Sequence, residues 1–195
     1  MIDAQAVMRL RQATGAGLMD AKAVLQETEG DAEKAVDLLR KRGLVKAEKK
    51  ADRQTREGRV VSYLHATGKI GALVEVLCET DFVARNELFS DLCHDLALHV
   101  TAADPLYVRR EEVPSETIEK EKIIYREEVQ GQGKPADIVE KIIEGKLNKY
   151  FSQVCLLEQP FVKDDVKTVG DLVKEKIAAL GENIQVARFS RFVIG

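Results

Sequence analysis

Five apolar residues at strict two-residue spacing, Ile70, Ala72, Val74, Val76 and Cys78, limit the fold of this chain more than any other feature. Side chains alternate across a strand, so the run places all five on one face, whereas a helix would scatter them around its circumference. The Thr67-Gly68 turn precedes the run, and before the turn Val60 and Leu64 share one face of a second strand. The spacing predicts a β-hairpin that starts after Gly58. Along most of the remaining chain apolar residues recur at intervals of three and four, the helical period. The expected class is α+β, with helices packed on a small antiparallel sheet.

Composition narrows this further. Of 195 residues, 45% are hydrophobic and 32% charged, the balance of a soluble globular protein and not of a disordered one. That length suits one or two domains with a real core. Trp is absent and aromatics make up 5%, so Leu, Ile, Val and Ala must build the core, which favours helices. No apolar run approaches the roughly 20 residues of a membrane span, and MIDAQAVMRLRQ lacks the long apolar segment of a secretory signal. The expected setting is cytoplasmic. Cys78, Cys93 and Cys155 are odd in number with no CxxC spacing, which indicates neither a disulfide framework nor a structural zinc site.

Ahead of the hairpin, residues 1–43 read as a domain of three short helices. The first carries Val7, Leu10 and Arg11 and breaks at Thr14-Gly15-Ala16-Gly17. Asp20 is the expected N-cap of the second, with Val24 and Leu25 inward and Gly30 at its end. Asp31 caps the third, which is expected to bury Ala35, Val36, Leu38 and Leu39 and to stop at Gly43. Residues 44–57 read as a charged helical linker, and 58–195 as the α+β core and dimerisation domain.

After the hairpin, Asn86 suits the N-cap of a helix bearing Leu88, Phe89, Leu92, Cys93, Leu96, Ala97 and Val100, ended before Pro105. A weaker helix follows from Ser115 through Ile118, Tyr125 and Val129, before Gly131 and Gly133 punctuate the chain. Pro135 opens a helix with Ile138, Val139, Ile142 and Ile143, and after Gly145 another carries Leu147, Tyr150, Phe151 and Val154. Thr168 caps a last helix through Leu172, Val173, Ile177 and Leu180, ended by Gly181. The tail reads as a strand apolar on both faces, with Val186, Phe189, Phe192 and Val193, and such a strand wants cover on both sides.

Charge is unevenly spread. Residues 40–59 hold nine basic and three acidic residues, a local excess of six on a chain whose net charge is −3. Such a block can contact RNA phosphates or can be a solvated helix. It contains no aromatic residue, so single-strand stacking has no support, and Glu48, Asp52 and Glu57 can pair with basic neighbours.

No phosphate-binding loop, dinucleotide fingerprint, nucleophile elbow or HExxH metal motif occurs in the chain. Cys93, His94 and His99 invite a thiol-enzyme or metal reading, but adjacent helical side chains diverge by about 100° and Cys93 falls on the apolar stripe. Two other stretches stand out. In LRQATGAGLMDAK, a glycine turn sets Leu18 and Met19 at a helix start, either as core or as a partner contact. In Thr80-Asp81-Phe82-Val83-Ala84-Arg85-Asn86, Phe82 is either a plug into its own core or an anchor for another protein's pocket.

The blocks RLRQATGAGLMDAK, GDAEKAVDLLRKRG, CETDFVARNELF and GKPADIVEKIIEGKLNKYFSQVCLLEQPFVKD, in this order over nearly the whole chain, resemble the elongation factor Ts family of short bacterial form. The resemblance implies a ubiquitin-associated-like fold for the three N-terminal helices. It also implies guanine nucleotide exchange on elongation factor Tu, with no bond made or broken and no cofactor. Carried over by motif, Arg11, Leu18 and Met19 would form the N-terminal contact, while Asp81 and Phe82 would pry at the partner's magnesium and phosphate region. Many members have Met where this chain has Leu18, a swap that keeps volume and apolarity. Longer members carry two related core halves; here one hairpin joins one helical set, and a homodimer through residues 184–194 is the expectation. No direct contact with nucleic acid and no membrane contact are expected.

Overall fold

The computed structural model describes residues 3–130 and 135–195; Gly131 and Gly133, expected to punctuate the chain, lie outside the described residues. The class is α+β, as expected. The chain divides into two compact units, the first comprising Met1–Val61, Glu75–Asp95 and Asp171–Ala187, the second Ser62–Val74, Leu96–Gly170 and Arg188–Gly195.

The first unit begins with α1 (Ala4–Thr14), α2 (Leu18–Glu27) and α3 (Ala32–Glu48). Asp3 caps α1 by accepting the Gln5 N–H, and Asp31 caps α3 by accepting the Lys34 N–H at 3.1 Å, a bond that holds the Asp31 carboxyl below its usual range. The three helices close on Val7, Leu10, Ala21, Val24, Leu25 and Ala35, with Leu38 and Leu39 packed against them. Val36, expected inward, is exposed: it lies about 100° around the helix from Ala35, beyond the stripe that Ala35, Leu38 and Leu39 define. Two further expectations are corrected. Asp20 is not the cap of α2; Gly17 holds that position, and the Asp20 carboxylate, inside the first turn, accepts from Lys46 Nζ at 2.9 Å. Gly43 does not stop α3, which runs on to Glu48. A Cβ at Gly43 would lie 3.3 Å from the Ala178 Cβ, so the missing side chain serves close helix approach instead of termination.

The hairpin forms from β1 (Glu57–Leu64) and β2 (Ile70–Cys78), and with β5 (Ile184–Val193) it makes a three-stranded sheet in the order β1-β2-β5. Ala72, Val74, Val76 and Cys78 are buried, as the two-residue period predicts, while the face that Val60 and Leu64 share is exposed. Gly58, where the hydrophobic period changes, has φ +153°, and a Cβ there would collide with the Val76 carbonyl on β2. After β2 a single turn, α4 (Asp81–Ala84), leads into α5 (Glu87–Ala103), where the Asn86 side chain accepts the Leu88 N–H at 2.8 Å. Phe89, Leu92, Cys93, Leu96, Ala97 and Val100 are buried; Leu88, expected with them, is exposed at the helix start.

In the second unit α6 (Ser115–Val129) and α7 (Ala136–Val154) pack on a core of Val113, Ile143, Leu147, Phe151 and Cys155. The expected break at Gly145 does not occur, and two anticipated helices are one. Gly145 is exposed, with open space where its Cβ would be, so its cost of about 1 kcal/mol is met by the apolar stripe that continues at four-residue steps from Ile143 to Phe151. A two-stranded antiparallel ribbon, β3 (Pro160–Phe161) and β4 (Asp164–Thr168), was not anticipated; it is too short to show a period. The last helix, α8 (Val169–Leu180), ends where expected, with the Gly181 N–H on the Ile177 carbonyl. Along β5, Ile184 and Val186 are buried, whereas Phe192 and Val193 are exposed.

Candidate partner-binding site

Thr80 builds the turn that presents the candidate wedge. Its hydroxyl caps α4 by accepting the Val83 N–H at 3.4 Å, and its carbonyl accepts the Ala84 N–H at 3.1 Å. Ala84 is buried and anchors the turn, while Phe82, two residues earlier on a one-turn helix, faces away with 83% of its surface exposed. Phe82 is therefore no plug into its own core. Burying a side chain of this size against a partner is worth roughly 2–3 kcal/mol. Beside it the Asp81 carboxylate pairs with Arg85 at 3.0 Å, both side chains reaching solvent.

The N-terminal candidates follow a comparable local logic. Gly17 begins α2 without a side-chain cap, and the first two residues of the helix are apolar. Ala21, Val24 and Leu25 turn inward, leaving Leu18 at 50% and Met19 at 74% exposure. Arg11 lies exposed in the last turn of α1. All five candidate residues, Arg11, Leu18, Met19, Asp81 and Phe82, belong to the first compact unit.

The competing chemistry is not assembled. Cys93 is buried and burial pushes its thiol up to about 12; Cys78 and Cys155 are also buried, with thiols pushed up to about 11. His99 is buried too. Its Nδ1 accepts the Val162 N–H at 3.2 Å, so Nε2 carries the proton and donates to Gln159 Oε1 at 2.9 Å, and burial lowers the pKa of the ring. Among the described residues, no three His, Cys, Asp or Glu side chains group as metal ligands. The basic segment spends much of its charge internally: Arg40 on Asp171, Arg42 on Glu27, Lys46 on Asp20 and Arg53 on Glu79. These partners come from other elements, not from the interspersed Glu48, Asp52 and Glu57 that the sequence suggested.

Comparison with known proteins decides the family. Residues 45–195 match the family model described as Elongation factor TS. The full chain is 59% identical over 194 residues to elongation factor Ts of Citrifermentans bemidjiense, covering 90% of that protein, and 56% identical over 195 residues to elongation factor Ts of Thermosipho melanesiensis, covering all of it. The chain belongs to the elongation factor Ts family. As a member of the elongation factor Ts family it is a translation elongation factor. Among the described residues, no helix is long and apolar enough to cross a membrane.

Sequence reasoning missed the polar groups behind the candidate turn that carries Phe82 in this member of the elongation factor Ts family. The Thr80 cap was open to inspection, a Thr directly before an Asp-initiated turn. Glu182, which hydrogen-bonds that turn, stands 102 residues away from Thr80 and carries no local signal.

Proposed function

We propose that this chain is the guanine nucleotide exchange factor for elongation factor Tu, a cytoplasmic regulator and not an enzyme. The single observation that carries the reading is the Phe82 ring held out on a capped turn, 83% exposed, in a chain of the elongation factor Ts family. Asp81 and Phe82 enter the partner's nucleotide-binding domain near its magnesium and phosphate region, and Arg11, Leu18 and Met19 hold the same domain at a second point. The three N-terminal helices form the ubiquitin-associated-like module that carries this second contact.

Magnitudes favour an apolar wedge. Speeding GDP release about ten-thousandfold needs roughly 5.5 kcal/mol of differential stabilisation. Exposed ion pairs such as Asp81–Arg85 give about 0.5 kcal/mol each and cannot supply it. An inserted aromatic gives about 2–4 kcal/mol, and loss of the metal's bridge to the phosphates adds to this. Coupling is reciprocal, so a new nucleotide weakens the factor's own grip by the same ratio and frees it for another cycle.

The test is release of a fluorescent GDP from elongation factor Tu with and without this protein. Acceleration at substoichiometric amounts is expected; unchanged release would refute the reading. A homodimer through 184–194 is part of the proposal, supported by the exposed Phe192 and Val193 on the edge strand β5. Light scattering at micromolar concentration should give twice the chain mass, and a stable monomer would remove that part.

A further inference from the structure

Behind the candidate wedge lies a polar lattice that the exchange reading leaves without a role. Glu182 follows α8 and Gly181, and its carboxylate reaches the far side of the β2–α4 turn. Oε2 accepts the Glu79 N–H at 3.1 Å and the Thr80 N–H at 3.0 Å, and Oε1 accepts the Thr80 hydroxyl at 2.6 Å. Thr80 is thereby saturated. Its one hydroxyl proton goes to Glu182, a hydroxyl lone pair takes the Val83 N–H, and its carbonyl takes the Ala84 N–H and the Cys78 thiol at 3.2 Å. The grip is returned from the other side: Glu79 Oε1 accepts the Asn183 N–H at 2.6 Å. Asn183, itself buried, donates its side-chain amide to the Ala51 and Arg53 carbonyls at 3.0 and 2.8 Å, and Lys50 donates to the Gly181 carbonyl.

We infer that Glu182 is a positioning residue for exchange: it orients Asp81 and Phe82 through Thr80, without itself touching the partner. The inference deepens the exchange reading and rests on it. A four-residue helix has a single turn and cannot hold its own direction, because nucleation is unfavourable without outside contacts. Burial of Ala84 secures one end of the turn; the other end, Glu79-Thr80, is secured by charge-assisted bonds to one carboxylate. Without them the aromatic would still be exposed but would no longer point one way, and the cost of ordering it would fall on the step in which it enters the partner. Asn183 extends the same lattice to residues 51–53, which follow the three N-terminal helices, so both candidate contacts of the first unit share one frame.

The decisive experiment compares wild type, Glu182→Gln, Thr80→Val, Thr80→Ser, the Glu182→Gln/Thr80→Val double variant and Phe82→Ala. GDP release from elongation factor Tu is measured over a concentration series, beside thermal melting and amide hydrogen exchange at Glu79 and Thr80. Glu182→Gln keeps the size of the side chain but sets an amide where a carboxylate met three donors. It should lower the maximal release rate about tenfold or more, with a small change in the half-saturating concentration, a melting temperature near wild type and faster exchange of both amides. Thr80→Ser should restore near-wild-type rates. Thr80→Val should match Glu182→Gln, and the double variant should be no slower than either single one. Wild-type release by Glu182→Gln, or a double variant whose losses simply multiply, overturns the positioning role. If wild type and Phe82→Ala both leave GDP release at its spontaneous rate, the exchange reading itself falls and takes this role with it, an outcome separable from the former because wild type is then inactive too.

Discussion

Phe82 and Phe161 make an instructive pair. Each stands in a stretch recognisable at a glance, ETDFVARN and LEQPFVKD; the first follows strand β2 and the second follows a 3-10 turn over Leu156–Glu158. In the first unit Phe82 rides on α4 and is 83% exposed; in the second Phe161 lies in β3 and is 4% exposed. Phe161 packs beside the His99 ring, 6.0 Å between centroids, under a lattice in which Gln159 accepts from His99 and donates to the Ala103 and Gln153 carbonyls. In both places a polar network adjoins the segment that carries the aromatic. One network seals its ring inward and the other holds its ring outward. Motif membership does not separate core from interface; only the environment of the side chain does.

The contrast breaks most sharply under truncation to alanine. Phe161→Ala should cost about 3–5 kcal/mol of stability, read from urea denaturation, because it empties a buried site. Phe82→Ala should leave stability within about 0.5 kcal/mol yet cut exchange by roughly 30-fold or more, the equivalent of a hot-spot anchor at about 2–4 kcal/mol. Equal loss of stability in both variants would dissolve the distinction.

A second prediction concerns pH. Burial lowers the pKa of His99 in the folded chain below its ordinary 6.5, so the unfolded chain binds the proton more readily. The contribution of neutral His99 is then complete above about pH 6.5 and is lost as pH falls through that value toward the folded pKa. The slope it adds is at most about 1.4 kcal/mol per pH unit. Protonation also sets an N–H against the Val162 N–H that Nδ1 accepts. Urea midpoints at pH 7.5 and pH 5.5 should diverge more for wild type than for His99→Gln; identical pH dependence would argue that the buried network tolerates the charge.

The smallest effect belongs to the basic segment. Lys46→Ala removes the Asp20 pair, whose side chains are each about half exposed, and should cost no more than about 1 kcal/mol. A larger loss in thermal melting would mean that the α2–α3 pairing depends on charge more than on the Val24 and Leu25 core.

Much of the architecture was open to reading from spacing alone. The Ile70–Cys78 alternation produced a hairpin with the expected buried face, and the Phe89–Val100 stripe produced a helix buried along it. Asp31 and Asn86 cap the helices they were expected to cap, because capping is decided within three residues. Beside the misplaced Asp20 cap and the exposed Val36 and Leu88, two helix ends fail at glycines. Gly43 and Gly145 both sit within helices that were expected to end at them: one is accommodated by close approach to Ala178, the other by a stripe that continues on either side. Propensity at one residue is worth about 1 kcal/mol, and a continuous buried face outweighs it.

What the sequence determined by itself was therefore local: the periods, the caps at Asp31 and Asn86, the turn at Gly68, the family, and the presence of an aromatic after Thr80-Asp81. The direction of that aromatic was decided only in three dimensions. A carboxylate from Glu182 had to arrive from 102 residues downstream and meet the Thr80 N–H and hydroxyl. Spacing encodes which face of an element is apolar, because that depends on covalent geometry repeated residue by residue. It does not encode which distant polar group will satisfy a given turn, because that partnership exists only after the chain has closed its long loops.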